Sequence, residues 1–226
     1  DNIMKFITSI LILAYLIGLP VEAYTQNRNF MTHRLSMENG LTQSDISSIV
    51  QDSTGFMWFG THNGLNRYDG HRITQYKHSL DSTKNSLLHN VIQSMASDKE
   101  DNIWIVTKAG IDRYDIDRNS FYHYISYYNT GKEFPFTDLY NIHCTQENEI
   151  FLCTNNGLCM YDKSADKFVT YFIDGVTNIG SINIRNIQSD VSTNSLFIST
   201  SKGVFQYEKS GKKTIRHSTG KSSMAC

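Results

Sequence analysis

The sequence predicts an all-β fold made of repeated four-stranded antiparallel sheets, and three observations carry that prediction. A motif about 46 residues long recurs four times along the 226-residue chain. Aromatic side chains make up 12% of it, with 13 Tyr and 12 Phe, a composition that favours strands. Beyond an N-terminal apolar run, no segment spaces its apolar residues at the helical period. Four strands in each repeat of about 40–50 residues mark a propeller blade, so the expected architecture is a β-propeller.

The first copy contains Asp52, Gly55, Trp58, Gly60, Thr61, Gly64, Leu65, Tyr68 and Asp69. In the second copy Asp98, Trp104, Thr107, Gly110, Tyr114 and Asp115 take the same places. The third has Phe151, Thr154, Gly157, Tyr161 and Asp162, and the fourth Phe197, Thr200, Gly203, Tyr207 and Glu208. The threonines stand 46, 47 and 46 residues apart and the glycines keep the same step.

Within repeat one, strands are expected over residues 46–51, 57–61, 65–68 and 72–76. Residues 52–55 supply a turn, through an acid able to bond its own backbone and a glycine. His62, Asn63 and Gly64 read as a three-residue hairpin loop, with Gly in the left-handed conformation that a Cβ would make costly. Asn63 and Asn156 suit that turn, whereas Ala109 and Lys202 show the position to be looser. Trp58, Trp104, Phe151 and Phe197 are expected between neighbouring blades, and each Thr is expected to cap its turn through the hydroxyl.

The organisation follows from the repeat. Residues 46–86, 87–134, 135–180 and 181–218 form blades one to four. Residues 24–45 form a leading segment whose extended stretch, 30–35, reads as a ring-closing strand. The connectors 78–86 and 217–223 are alike, so 219–226 reads as the beginning of a truncated connector toward a fifth blade. At the N-terminus, Met4 and Lys5 precede an apolar run from Phe6 to Leu19, and Val21 and Ala23 give a small-x-small exit. This is the pattern of a secretory signal over residues 1–23, cut after Ala23. The alternative is an uncleaved anchor, for which the run is short against the roughly 20 apolar residues of a membrane-spanning helix. Either reading places the rest outside the cytoplasm.

A formal net charge of −1 leaves no bulk electrostatic case for nucleic acid or an anionic membrane. Cys144, Cys153, Cys159 and Cys226 match no zinc spacing, and no cofactor is expected. Cys153 and Cys159 flank a tight turn: they either bridge in an oxidising compartment or serve as small strand residues. Eight histidines are scattered without ligand spacing. Asp69, Asp115 and Asp162 recur with the repeat and read as turn-formers, since a catalytic acid departs from a repeat. No catalytic residue, and hence no enzyme activity, is assigned. The segment 121–136 holds seven aromatic residues. Its Tyr127 and Tyr128 are the candidates for stacking on a sugar; otherwise Phe121, Tyr122 and Tyr124 belong to an outer strand while Phe134 and Phe136 pack beneath a loop.

The pattern Asp-x-x-Gly-x-x-Trp-x-Gly-Thr-x-x-Gly-Leu-x-x-Tyr-Asp over residues 52–69 resembles the two-component regulator propeller repeat. The lead-in at residues 35–41 is similar to the start of that family's sensors, and the resemblance extends over residues 30–218. It weakens in repeat three, which lacks the acidic turn, and in repeat four, where the aromatic is Phe. The resemblance implies a periplasmic propeller, part of a seven-bladed one, at the N-terminus of a hybrid two-component histidine kinase. It further implies an oligosaccharide ligand, and as partners the remaining blades and the kinase region of a parent receptor, with a homodimer of that parent. No histidine here lies in a phosphoacceptor or ATP-binding setting, so kinase activity is not assigned to this chain. An exported glycan-active propeller enzyme and a stand-alone interaction propeller are the alternatives.

Overall fold

A computed structural model describes residues 32–81, 83–126, 138–171, 173 and 182–217. The signal sequence and residues 30 and 31 of the ring-closing stretch lie outside the described residues; its other four residues, 32–35, carry no regular secondary structure, so the strand expected there does not form over them.

Among the described residues sixteen strands form four sheets. Sheet one comprises β1 (Ile46–Gln51), β2 (Met57–Thr61), β3 (Gly64–Tyr68) and β4 (Ile73–Tyr76). Sheet two is β5 (Ile92–Ser97), β6 (Asn102–Thr107), β7 (Gly110–Asp115) and β8 (Ser120–Ser126). Sheet three is β9 (Leu139–Cys144), β10 (Ile150–Thr154), β11 (Gly157–Asp162) and β12 (Lys167–Tyr171). Sheet four is β13 (Ile184–Asp190), β14 (Ser195–Thr200), β15 (Gly203–Glu208) and β16 (Lys213–His217). Each is an antiparallel meander in chain order, the arrangement of a propeller blade.

The hairpin between the second and third strands differs from the three-residue loop expected. Thr61 pairs with Gly64, Thr107 with Gly110, Thr154 with Gly157 and Thr200 with Gly203, leaving two loop residues. The glycines open the third strand with φ of 124°, 149°, 126° and 118°. Asn63, Ala109, Asn156 and Lys202 are not among the positive-φ residues. Glycine alone absorbs the bend, which is why the residue before it varies. The threonine locks the turn in every repeat: its hydroxyl donates to the glycine carbonyl at 2.9, 3.0, 2.8 and 2.8 Å. The same hydroxyl accepts the N–H of the second loop residue, at 3.0 Å from Asn63 and 3.2 Å from Asn156.

The inner strands β1, β5, β9 and β13 lie side by side, and the sheets pack face to face. Between blades one and two lie Trp58, Leu65, Ile92, Met95, Ile105 and Tyr114. Trp104, Ile111, Ile142 and Leu152 fill the next interface, and Phe151, Leu158, Ile184, Ile187 and Leu196 the third. Central strands covered on both faces are buried throughout, as in β6 and β10. Where a neighbour is lacking among the described residues, the same positions open. Met95, Ile142 and Ile187 are buried, whereas their counterpart Ile49 on blade one is 56% exposed. Phe151 and Leu158 are buried, whereas Phe197 and Val204 on blade four are half-buried.

Candidate functional site

The turn between the first and second strands builds the rim of the site. Asp52 follows β1, and its Oδ1 accepts the N–H of Thr54 at 3.0 Å and of Phe56 at 2.9 Å. Its Oδ2 accepts the indole N–H of Trp58 at 2.8 Å. Asp98 repeats this with the N–H groups of Glu100 and Asn102, both at 2.9 Å, and with the Trp104 indole at 2.8 Å. A short carboxylate can bend back over its own turn, and the buried indole needs an acceptor. In repeat three the place belongs to Thr145, whose hydroxyl accepts the Glu149 N–H at 3.2 Å, and the Phe151 ring has no N–H to satisfy. Repeat four has Val191 there, and Asp190, one residue earlier, accepts the Ser192 N–H at 2.9 Å. Acid and indole are present together and absent together.

Three residues past that position the backbone is left-handed in every repeat, at Gly55, Asp101, Asn148 and Asn194. Two of these side chains reach the preceding blade. Asp101 accepts the Ser53 N–H at 3.2 Å and its hydroxyl at 2.6 Å, and Asn148 accepts the Lys99 N–H at 2.8 Å. Polar stitches also join the inner strands: Ser48 Oγ accepts the Met95 N–H at 3.0 Å, and Ser94 Oγ that of Ile142 at 3.3 Å. The turns are thereby held in register with one another.

Together these turns and the ends of the four inner strands line an open cavity of about 510 Å³. Every blade contributes: Gln51, Asp52 and Ser53 from the first, Ser97, Asp98, Lys99 and Asp101 from the second, His143, Cys144, Thr145 and Gln146 from the third, Gln188, Ser189 and Val191 from the fourth. His143 Nε2 accepts the Ser189 N–H at 3.2 Å, so that nitrogen is unprotonated. Burial, assisted by the charge of Lys209, pushes the His143 pKa below the ordinary imidazole value, and the ring is neutral at physiological pH. Burial pushes the Cys144 thiol up to about 11, which removes it as a nucleophile. The cavity thus offers amides, hydroxyls and a neutral imidazole, with carboxylates already engaged by N–H donors. Amides and hydroxyls of this kind can both donate to and accept from hydroxyl groups.

A second polar cluster lies away from the cavity. Asp112 on β7 is fully buried; its Oδ1 lies 2.5 Å from His123 Nδ1 on the neighbouring β8, and its Oδ2 accepts the Leu88 N–H at 2.9 Å. Blade one has the same device at the equivalent place, where Asn66 Oδ1 accepts the Thr42 N–H at 2.9 Å. Both tie the segment preceding a blade to that blade's third strand. Repeats three and four carry Cys159 and Phe205 at this place. Asn85, in the connector between the first two blades, adds a clasp, donating to Asn119 O and accepting the Phe121 N–H, both at 2.7 Å.

The repeat positions singled out in the sequence are scaffold. Trp58, Trp104, Phe151, Thr61, Thr107 and Thr154 are buried, and Tyr114 shares an aromatic cluster with Trp58 at a centroid distance of 5.3 Å. Tyr161 packs on Trp104 at 4.7 Å, and Tyr207 joins the apolar cluster between the third and fourth blades. The Tyr68 hydroxyl donates to Gly70 O at 2.7 Å. Asp69, Asp115 and Asp162 each accept backbone N–H groups of the following turn. Tyr127 and Tyr128 lie outside the described residues. Cys153 and Cys159 do not bridge: both are free thiols. Cys153 stands opposite Leu158 and Cys159 opposite Leu152, and the two point to opposite faces of blade three, into different apolar clusters. Among the described residues no group of three or more His, Cys, Asp or Glu side chains is arranged to hold a metal, and no helix is long and apolar enough to cross a membrane.

The cavity-lining set was not singled out in the sequence. Its members share a place, the end of the first strand and the turn after it, which can be found by counting back six residues from each Trp or Phe. For Asp112 the signal was its departure from Cys159 and Phe205 in the repeat.

Residues 40–63 and 86–109 match the family described as Two component regulator propeller. The chain is 26% identical to the extracellular domain of a hybrid two-component system from B. thetaiotaomicron, with a TM-score of 0.69 over 83% of this chain. It is 35% identical over 65 residues to Histidine kinase P4 of Formosa agariphila. The chain spans 26% of the length of the first and 5% of the second, and the match to the kinase covers 29% of this chain. Virginiamycin B lyase from Staphylococcus aureus, 14% identical with a TM-score of 0.57 over 86% of this chain and 62% of the lyase, shares the fold alone. The chain carries two-component regulator propeller repeats, folded as consecutive blades of a β-propeller.

Proposed function

We propose that this chain is part of the extracytoplasmic ligand-sensing propeller of a two-component system, that it recognises an oligosaccharide, and that it signals to a histidine kinase lying elsewhere in a parent receptor. The observation that carries the reading is the cavity of about 510 Å³, to which all four blades contribute polar side chains. A cavity of that size, at the convergence of rigid elements and rich in hydroxyl and amide groups, suits several sugar rings. The likeness to an extracellular domain of a hybrid two-component system supports the compartment and the signalling context. The half-buried Phe197 and Val204 and the exposed Ile49 support further blades of the parent as neighbours, a seven-bladed ring being the expectation. The reading assigns no enzyme activity to this chain. In support, Asp52 and Asp98 spend both carboxylate oxygens on turn and indole N–H groups.

The test is calorimetric titration of the intact parent ectodomain with oligosaccharide fractions, repeated with Gln51→Ala/Gln188→Ala. Binding that weakens about tenfold in the double variant supports the reading, two lost hydrogen bonds being worth roughly that factor. Binding untouched by the change excludes the cavity as the site.

A further inference from the structure

We infer that the cavity is selective for charge: it takes neutral, hydroxyl-rich chains and rejects those bearing carboxylate or sulfate groups. The inference rests on the oligosaccharide reading above and deepens it. Three carboxylates, Asp52, Asp98 and Asp101, line the cavity against one ammonium, Lys99. Asp52 and Asp98 accept backbone N–H groups and an indole N–H, while Asp101 accepts an N–H and a hydroxyl from Ser53. These hydrogen bonds occupy the carboxylate oxygens and hold the three side chains in place around the cavity.

The other cations near this face are committed elsewhere. Lys209 pairs with Glu147 and Glu149, and Lys163 pairs with Glu100. His143 is a neutral acceptor and adds no positive charge. An anionic ligand would therefore enter a cavity of net negative lining whose walls are fixed by hydrogen bonds and cannot turn away. Recognition of acidic ligands relies on the opposite arrangement, clustered Arg or Lys forks. Neutral hydroxyl groups incur no such repulsion and meet Gln51, Gln146 and Gln188, which both donate and accept.

The experiment presents the intact parent ectodomain to an array of neutral hexasaccharides (cello-, xylo-, manno- and galacto-series) and of hexauronates and sulfated hexasaccharides, at low and at moderate salt. Retention of neutral probes alone is the expected result. A second measurement uses Asp101→Asn, which keeps a residue tolerant of the left-handed backbone while removing one charge. It should raise the ratio of acidic-probe to neutral-probe affinity about threefold, as expected for one charge acting across a few ångströms of partly screened space. Preferential capture of acidic probes would overturn the inference while leaving the oligosaccharide reading intact; capture of neither class would overturn both.

Discussion

The indole N–H of Trp104 donates to Asp98 Oδ2 at 2.8 Å, joining the turn that rims the cavity to the aromatic core between two blades. Asp52 and Trp58 reproduce the bond at the same distance. Each carboxylate closes its turn with one oxygen and anchors an indole with the other.

Asp98→Thr and Trp104→Phe, made singly, should each destabilise the protein, by about 1–3 kcal/mol: the first leaves the buried Trp104 indole N–H without its acceptor, and the second leaves Asp98 Oδ2 with the Asn102 side-chain amide but without the indole. Together they copy repeat three, with its Thr145 and Phe151. The double variant should cost less than the sum of the singles, with a coupling of about 1 kcal/mol in urea unfolding. Strict additivity would show the bond to contribute nothing.

Gly64 and Gly157 occupy equivalent places with φ of 124° and 126°. A Cβ on Gly64 would meet Tyr76 O at 2.7 Å, whereas one on Gly157 meets nothing within 4 Å. Gly157→Ala should cost the backbone strain alone, about 1–3 kcal/mol. Gly64→Ala should cost measurably more, since the backbone of β4 must also move. Equal midpoints in a denaturant series would refute the distinction.

The Asp112–His123 pair predicts a pH dependence. The hydrogen bond to Asp112 raises the His123 pKa above the ordinary imidazole value, against the opposing effect of burial. Burial raises the Asp112 pKa, partly offset by His123. Both groups bind protons more tightly folded than unfolded, so their contribution is present at low pH and declines as pH rises. For His123 it is fully present below about 6.5, the unfolded value, and is lost as pH passes through the higher folded value. Subtracting the stability profile of His123→Gln from that of the parent protein should isolate a decline above that pH. A difference that is flat from pH 6 to 9 would remove the ion pair from the account.

Burial pushes the Cys159 thiol up to about 12 and the Cys153 thiol higher still. Iodoacetamide at pH 8 should leave both unmodified in the folded protein and label both in urea, as read by peptide mass mapping. A Cys153–Cys159 disulfide peptide from non-reduced protein would contradict the opposed faces on which they stand.

The blade pattern was legible because it is local and repeated. Strand period, the Thr-x-x-Gly hairpin and the Asp-to-Trp spacing each lie within about twenty residues and recur at equivalent places. The cavity was less legible. Gln51, Lys99, His143 and Gln188 do not share one repeat position, and their meeting depends on how blades are stacked. Asp112 and His123 stand eleven residues apart in the chain, and only the pairing of β7 with β8 sets them face to face.

By itself the sequence determined the all-β class, the four-stranded unit, the aromatic of each repeat, buried in the first three, and the place of each hairpin glycine. These follow from side-chain alternation and backbone sterics, which act between near neighbours. Tertiary structure alone decided that Gly, without help from the residue before it, carries each hairpin, and that two cysteines six residues apart face different cores. It also decided that the ends of four inner strands and the turns after them line a common open cavity. Those outcomes depend on register and on blade-to-blade packing, where a shift of one residue sends a side chain to the opposite face.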